Sequence, residues 1–277
     1  MPKLPIAALL AAGVLQILPA AAQTLPASIA DSKVIHIAVN GTYPPMESID
    51  PATNKLIGFD IDLGEAIAKE LGVKLEWQDG AFAQLIPSVQ TGRADMILSG
   101  ISDLPARRES LDFLDYLKSG AQFYTLDKST DIKTAEDLCG KTVSTVRSTS
   151  YPANIEAFSA ENCVKKGKPA MTVAGTDRMP LAHIELQQGR ADGGVQGSET
   201  LPTLLKAEPG VYRVLSTPFT VVQQGIAFAK TDTQLRDAVA GALKKLFADG
   251  TYTALITKWE LQASAAPAPG MNGGPLP

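Results

Sequence analysis

The sequence predicts an α/β protein built as two related lobes with a ligand cleft between them. Three observations carry this expectation. Strand-like apolar runs alternate with helical periodicity, and the tetrapeptide Gly-Arg-Ala-Asp occurs twice in matching surroundings. The length of 277 residues, with 45% hydrophobic and 19% charged content, also suffices for substantial cores.

Taken in order, the first 22 residues read as a cleavable secretory leader: Lys3, an apolar stretch from Leu4 to Leu18, then Ala20-Ala21-Ala22 before Gln23. Export places the mature chain outside the cytoplasm, in the periplasm. There the two cysteines, Cys139 and Cys163, are expected to pair; closing that loop stabilises by about 3 kcal/mol on the chain-entropy account.

Val34 to Asn40 reads as a buried strand, and Tyr43-Pro44-Pro45 turns the chain into a loop running to Gly58. Asp60 is placed as the N-cap of a helix that carries Leu63, Ile67 and Leu71 on one face and stops at Gly72. Val73 to Trp77 alternates as a strand, a helix with Leu85, Ile86 and Val89 follows, and Asp95 to Ser99 is a second buried strand. Such alternation implies a mainly parallel sheet flanked by helices.

Gly92-Arg93-Ala94-Asp95 and Gly189-Arg190-Ala191-Asp192 each follow a helical segment and lead into a short strand ending at Gly100 or Gly197. In open α/β sheets ligands bind beyond the carboxyl ends of the strands, so Ser99-Gly100 and Gln196-Gly197 become corresponding edges of the cleft. Gln234 to Trp259 reads as helical, broken at Gly250. The last stretch, 263–277, is rich in Ala, Pro and Gly and is expected to be a disordered tail.

A net charge of -4 with no basic block argues against nucleic acid as a partner. Two histidines, His36 and His183, cannot build a His-based metal cluster, and no nucleophile elbow lies near His183. Gly140-Lys141-Thr142 lacks the first glycine of a phosphate loop, because Ala135 stands there. No metal or cofactor is therefore expected.

The runs IHIAVNGTYPPMESI, GFDIDLGEAIAKELGVKLEW, LIPSVQTGRADMILSGIS and ADGTYTALITKWEL resemble the family 3 extracellular solute-binding proteins, the polar amino-acid binders of ABC importers. The resemblance covers about residues 31–262. It implies a type II periplasmic-binding-protein fold that closes around its ligand as a hinged trap. Lobe one would comprise 31–120 plus 222–262, and lobe two 121–221. It further implies a monomer that captures an amino acid or related small carboxylate and delivers it to an inner-membrane ABC permease.

Carried over position by position, the resemblance makes Arg107 the clamp for a ligand carboxylate, a task suited to its bidentate fork. Ser99, Gly100 and Ser102 would complete the cradle, with Tyr43 and Phe82 as walls. In lobe two, Ser148, Thr149 and Ser150 would present hydroxyls and helix N-terminal amides. Arg147, if it faces the cleft, would accommodate a second carboxylate.

Departures from the pattern bear on the ligand. The aspartate expected for an ammonium falls at Gly197, an assisting aspartate falls at Asn40, and Leu104 and Ser148 replace Thr and Gly. Either Glu199 substitutes for the missing carboxylate, which is the working expectation, or the ligand lacks a free α-ammonium. The rival reading is a cyclohexadienyl dehydratase-like enzyme on the same scaffold with Glu199 as its acid; a third is the sensor module of a receptor.

Overall fold

A computed structural model describes residues 24–276, so the leader expected over 1–22 lies outside the described residues. The chain enters lobe one through α1 (Ala27–Ser32) and β1 (Val34–Val39). Short strands β2 (Thr42–Tyr43), β3 (Glu47–Ile49) and β4 (Leu56–Ile57) pair antiparallel, so the stretch expected to be a plain loop forms a small sheet. Then come α2 (Phe59–Leu71), β5 (Lys74–Asp79), α3 (Leu85–Gln90), β6 (Met96–Ile97), α4 (Pro105–Arg108) and β7 (Leu111–Ser119).

Lobe two holds β8 (Ala121–Leu126), β9 (Thr142–Val146), α5 (Tyr151–Asn162), β10 (Thr172–Thr176), α6 (Met179–Gln187), β11 (Gly193–Gly197), α7 (Leu201–Ala207) and β12 (Tyr212–Val214). The chain returns to lobe one with β13 (Val222–Ala229), α8 (Thr233–Ala248), α9 (Thr251–Lys258), β14 (Ala265–Met271) and β15 (Gly274–Pro275).

Each lobe centres on its own sheet, ordered β15-β14-β7-β13-β6-β1-β5 in lobe one and β10-β9-β11-β8-β12 in lobe two. Their cores are separate: Ile35, Phe59, Ile67, Tyr116 and Phe228 belong to the first, and Phe123, Leu138, Val143, Ile155 and Val195 to the second. Two segments cross between lobes side by side, where the Ala121 amide donates to Thr220 Oγ1 at 2.8 Å. Gly120 permits that approach, since a Cβ there would lie 2.1 Å from the Thr220 carbonyl oxygen.

The duplicated tetrapeptide performs the same task in both lobes. Gly92 and Gly189 turn the chain with φ of 71° and 69°, a conformation that glycine adopts without strain. The aspartates then clasp the neighbouring parallel strand. The Asp95 amide donates to the His36 carbonyl at 2.8 Å, and the Asp95 carboxylate accepts from the His36 amide at 2.7 Å. Asp192 repeats this on Thr142, with distances of 2.8 and 2.9 Å.

Asp60 is not the cap of α2. The helix begins at Phe59 after Gly58, and the Asp60 side chain turns inward to accept from the Gly100 amide at 2.7 Å and the Tyr116 hydroxyl at 2.8 Å. Burial favours this use: an exposed cap satisfies one amide, whereas a buried carboxylate must satisfy both oxygens. The other end of α2 follows expectation, with Gly72 in the left-handed conformation at φ 67°. Cys139 and Cys163 are bonded, tying the start of β9 to the end of α5.

Residues 263–277 also depart from expectation, because β14 adds to the edge of β7 and turns back into β15. Composition measures only how little apolar surface this stretch buries; its order comes from sheet-edge pairing and polar contacts. Asn272 and Gly273, with φ of 51° and 77°, form the two-residue turn. Asn272 Oδ1 accepts from the Phe113 amide at 2.9 Å, and the Gly273 amide donates to Asp115 at 2.8 Å.

Asp115 sits against Asp103, which itself receives two bonds from Arg108 at 2.5 and 2.8 Å. Burial pushes the Asp115 carboxyl up to about 7, and burial likewise lifts Asp60 to about 6. A carboxyl raised in the folded state contributes stability that is complete below its unfolded value, near 4, and is lost as pH rises through the folded value. Unfolding free energy should therefore fall between pH 5 and pH 8, by on the order of 2 kcal/mol. Asp115→Asn, whose amide replaces the proton facing Asp103, should flatten that slope in urea titrations at the two pH values. An unchanged slope would mean that Asp115 is not the titrating group.

Candidate functional site

A cavity of about 40 Å³ lies between the lobes at the carboxyl ends of their parallel strands. Lobe one contributes Asn40, Thr42, Tyr43, Glu47, Phe82, Ser99, Gly100, Ser102 and Arg107, and lobe two contributes Val146, Thr149, Ser150, Tyr151, Arg178 and Met179. Strand geometry explains the grouping, because β1, β6 and β9 all end at this edge.

Several lobe-one groups are already committed to one another. The Ser99 hydroxyl accepts from the Asn40 amide at 3.0 Å and donates to Glu47 Oε1 at 2.9 Å. The Gly100 amide donates to Asp60, so it does not serve as the cradle donor expected of it. Its φ of 52° suits glycine, and a Cβ would press on the Tyr43 ring at 3.0 Å. Asn40 donates from Nδ2 to the Gly80 carbonyl at 2.6 Å and accepts from Thr42 at 2.6 Å.

Arg107 differs from these. One guanidinium nitrogen donates to the Ser102 carbonyl at 2.8 Å, and the group stands 5.9 Å from the Phe82 ring centroid. It makes no ion pair among the described residues, and burial lowers its pKa, the signature of a desolvated cation without a partner carboxylate. Its remaining donors and the adjoining Ser102 form the open polar part of the lobe-one wall.

Lobe two places the expected residues unevenly. Thr149 and Ser150 line the cavity at the start of α5. Arg147 and Ser148 do not: Arg147 turns outward, donating to the Gly175 carbonyl at 2.7 Å and pairing with Asp177 at 3.3 Å. The arginine that lines the cavity from this lobe is Arg178, an exposed residue immediately before α6.

Glu199 and Gly197 lie behind the cavity wall. Glu199 is 3% exposed and accepts from Tyr43 at 2.8 Å, from Gln224 at 2.7 Å and from Ser119. Since Tyr43 donates to Glu199, it accepts from Tyr151 across the cavity at 2.7 Å. Burial raises the Glu199 pKa, while its Ser119, Tyr43 and Gln224 donors oppose that rise. A Cβ at Gly197 would lie 2.1 Å from the Tyr43 hydroxyl and 2.2 Å from Glu199 Oε1. The space beside Gly197 is thus filled by Glu199 and Tyr43, which together bridge the lobes.

Glu47, unforeseen from the sequence, is a second buried acid at the cavity. Burial, and after it the neighbouring Asp60, raise its pKa well above the ordinary value, and its Oε2 has no hydrogen-bond partner. Tyr151, Val146, Met179 and Arg178 were also missed. Pro152 and Pro180, each at the second position of its helix, mark the helix starts beside which these residues cluster.

Comparison with known proteins agrees with this architecture. The family model for bacterial extracellular solute-binding proteins, family 3, matches residues 35–262. ABC transporter arginine-binding protein 1 of Escherichia coli K12 is 30% identical over 264 residues, covering 94% of this chain and 99% of the relative. Holo ArgBP from T. maritima is similar with a TM-score of 0.71 and 30% identity, over 84% of this chain and 98% of that one. An ancestral amino acid-binding protein described as a precursor of cyclohexadienyl dehydratase gives a TM-score of 0.73 at 30% identity, over 84% and 97% of the two chains. With two α/β lobes, an interlobe cavity and a family match across most of its length, this chain belongs to the bacterial extracellular solute-binding proteins, family 3.

Proposed function

We propose that this protein is the extracytoplasmic substrate-binding component of an ABC importer, capturing an amino acid or related small carboxylate by lobe closure. The observation that carries this reading is Arg107, a desolvated guanidinium without a carboxylate partner at an interlobe cavity. An isolated buried cation is costly, and a ligand carboxylate offsets that cost through charge-assisted hydrogen bonds. Ser102 and Ser150 face the same space from opposite lobes. A carboxylate bound between them draws the lobes together.

Closure engages groups on both sides. Tyr43 reaches Tyr151 and Glu199, while Ser119 and Gln224, which bond Glu199, stand on the strands β7 and β13 that lead into the crossing. The ligand therefore acts as the missing contact in an interface otherwise assembled from the protein's own hydroxyl and carboxyl groups. The closed monomer then docks on a permease in the inner membrane, and the leader over 1–22 directs the chain to the periplasm.

A dehydratase needs a proton donor on the cleft surface. Glu199 is behind Tyr43 rather than on that surface, and Glu47, which lines the cavity with Oε2 unpartnered, is 1% exposed and accepts from Ser99 through Oε1. The non-enzymatic reading is preferred on this ground. A thermal-shift panel of amino acids, keto acids and dicarboxylates tests it. A bound solute at 100 times its Kd adds about 2.7 kcal/mol of stability. We expect a carboxylate-bearing solute to stabilise, its amide or ester to fail, and prephenate and arogenate to persist unchanged with the protein. Turnover of either would reverse the assignment.

A further inference from the structure

Arg107 stands on α4, a single turn of four residues, and its guanidinium donates to the Ser102 carbonyl at 2.8 Å. Toward lobe two this turn borders a cavity of about 390 Å³, with Leu104, Pro105 and Arg108 on one side and Ser150 and Asn154 on the other. Support for the turn therefore comes from lobe one.

Asp103 supplies it at both ends. Its amide donates to the Gln223 carbonyl at 2.9 Å, and that amide belongs to the same peptide as the Ser102 carbonyl that holds Arg107. Because the peptide is planar, restraining its N–H also aims its C=O. The Asp103 carboxylate, in a residue only 3% exposed, accepts two bonds from Arg108, at 2.5 and 2.8 Å, and so ties the end of α4 back to the start of the segment.

The far side of Asp103 is closed by the opposite end of the chain. Asp115 on β7 lies against it and accepts from the Gly273 amide at 2.8 Å. Gly273 itself rests on Arg108, since a Cβ there would collide with Nη2 of that guanidinium. The hairpin of β14 and β15 that carries Gly273 falls outside residues 35–262 of the family match.

We propose that Asp103 is a positioning residue for the ligand clamp: its amide and carboxylate hold the turn that carries Arg107, and the C-terminal hairpin seats Arg108 on that carboxylate. This role rests on the carboxylate-clamp reading of Arg107. A guanidinium set in place before binding avoids the cost of ordering a long side chain, which reaches about 10-fold in affinity for one such residue.

Titration calorimetry on the full mature chain tests this, using whichever of L-arginine, L-glutamine, L-glutamate, succinate and 2-oxoglutarate wild type binds most tightly. Asp103→Ala should weaken binding by about 10-fold, although Asp103 does not line the ligand cavity. Asp103→Asn, which keeps an acceptor for Arg108, should recover most of that loss. A merely structural role would lower the melting temperature and leave the Kd of the folded protein unchanged. Arg108→Gln should reproduce the loss, and its combination with Asp103→Ala should be no worse than the larger single effect. Gly273→Ala, which unseats Arg108, should lose part of the same factor. If Asp103→Ala and Arg108→Gln bind as wild type does while Arg107→Ala binds weakly, or if the two losses add in full, the positioning role is overturned and the clamp stands. If Asp103→Ala does not fold, Arg108→Gln decides alone by the same criterion. If Arg107→Ala binds as well as wild type, or no solute in the panel binds wild type, the clamp reading fails and the positioning role fails with it.

Discussion

Arg107→Ala is expected to weaken ligand binding by about 100- to 1,000-fold while leaving the unliganded protein folded. Truncating one partner of a buried, hydrogen-bonded charge pair costs about 2–5 kcal/mol, much of it from stranding the other charge. In wild type the guanidinium is itself strained by desolvation, having only the Ser102 carbonyl and the Phe82 face for company. Removing it therefore takes no ion pair from the free protein, and the apo melting temperature should hold or rise slightly. Arg107→Lys should restore little, because an ammonium offers neither a bidentate fork nor a planar face for Phe82. Calorimetric titration of the three proteins with the strongest thermal-shift ligand decides this, and near-equal Kd values would remove Arg107 from the site.

The second large effect is expected at Gly197, a residue that touches no ligand in this account. Alanine there places a methyl carbon 2.1 Å from the Tyr43 hydroxyl and 2.2 and 2.6 Å from the two Glu199 oxygens, distances no real contact tolerates. Glu199 has little freedom to retreat, since Ser119 and Gln224 hold it from the crossing strands. Either the carboxylate leaves its donors, stranding a buried charge, or Tyr43 withdraws and the lobes cannot meet. Overpacking of this kind costs about 1–3 kcal/mol, and Kd should rise by roughly 10- to 100-fold if that cost falls on the closed form. The origin is checked by a double-mutant cycle with Glu199→Ala, which removes the obstructed group. The two changes should be clearly less than additive in Kd. Full additivity would place the damage elsewhere.

The parts of the fold that were legible in the sequence are those where one residue type answers a local backbone demand. The two Gly-Arg-Ala-Asp units were such a case: glycine supplies a left-handed turn and aspartate clasps the adjoining strand at His36 or Thr142. Periodicity placed α2, α8 and α9, because Leu63, Ile67, Val239, Leu243 and Ile256 face one core. What was not legible depended on direction or on distant partners. Arg147 and Arg178 look equivalent as letters, yet Val146 ends β9 facing the cavity, so the next residue faces away, while Arg178 stands at the start of a helix beside it.

Asp60 carried the letter of a helix cap, and only the nearness of Gly100 and Tyr116 reveals its inward role. Glu199 was singled out by sequence as a substitute ammonium partner; its three donors come from positions 43, 119 and 224, which no local pattern connects. The terminal segment was misjudged for a different reason. Its Asn272-Gly273 pair was a readable hairpin signal, masked by a composition that resembles a tail.

The two lobes are expected to close around a carboxylate held by Arg107. Small-angle scattering of the mature chain, with and without the solute that stabilises it most, tests this directly. Wild type should show a smaller radius of gyration on binding, approaching that of the closed arrangement in which Tyr43 meets Tyr151, and Arg107→Ala no change at the same solute concentration. A wild-type radius that does not change at saturating solute, or an equal contraction in Arg107→Ala, would contradict it.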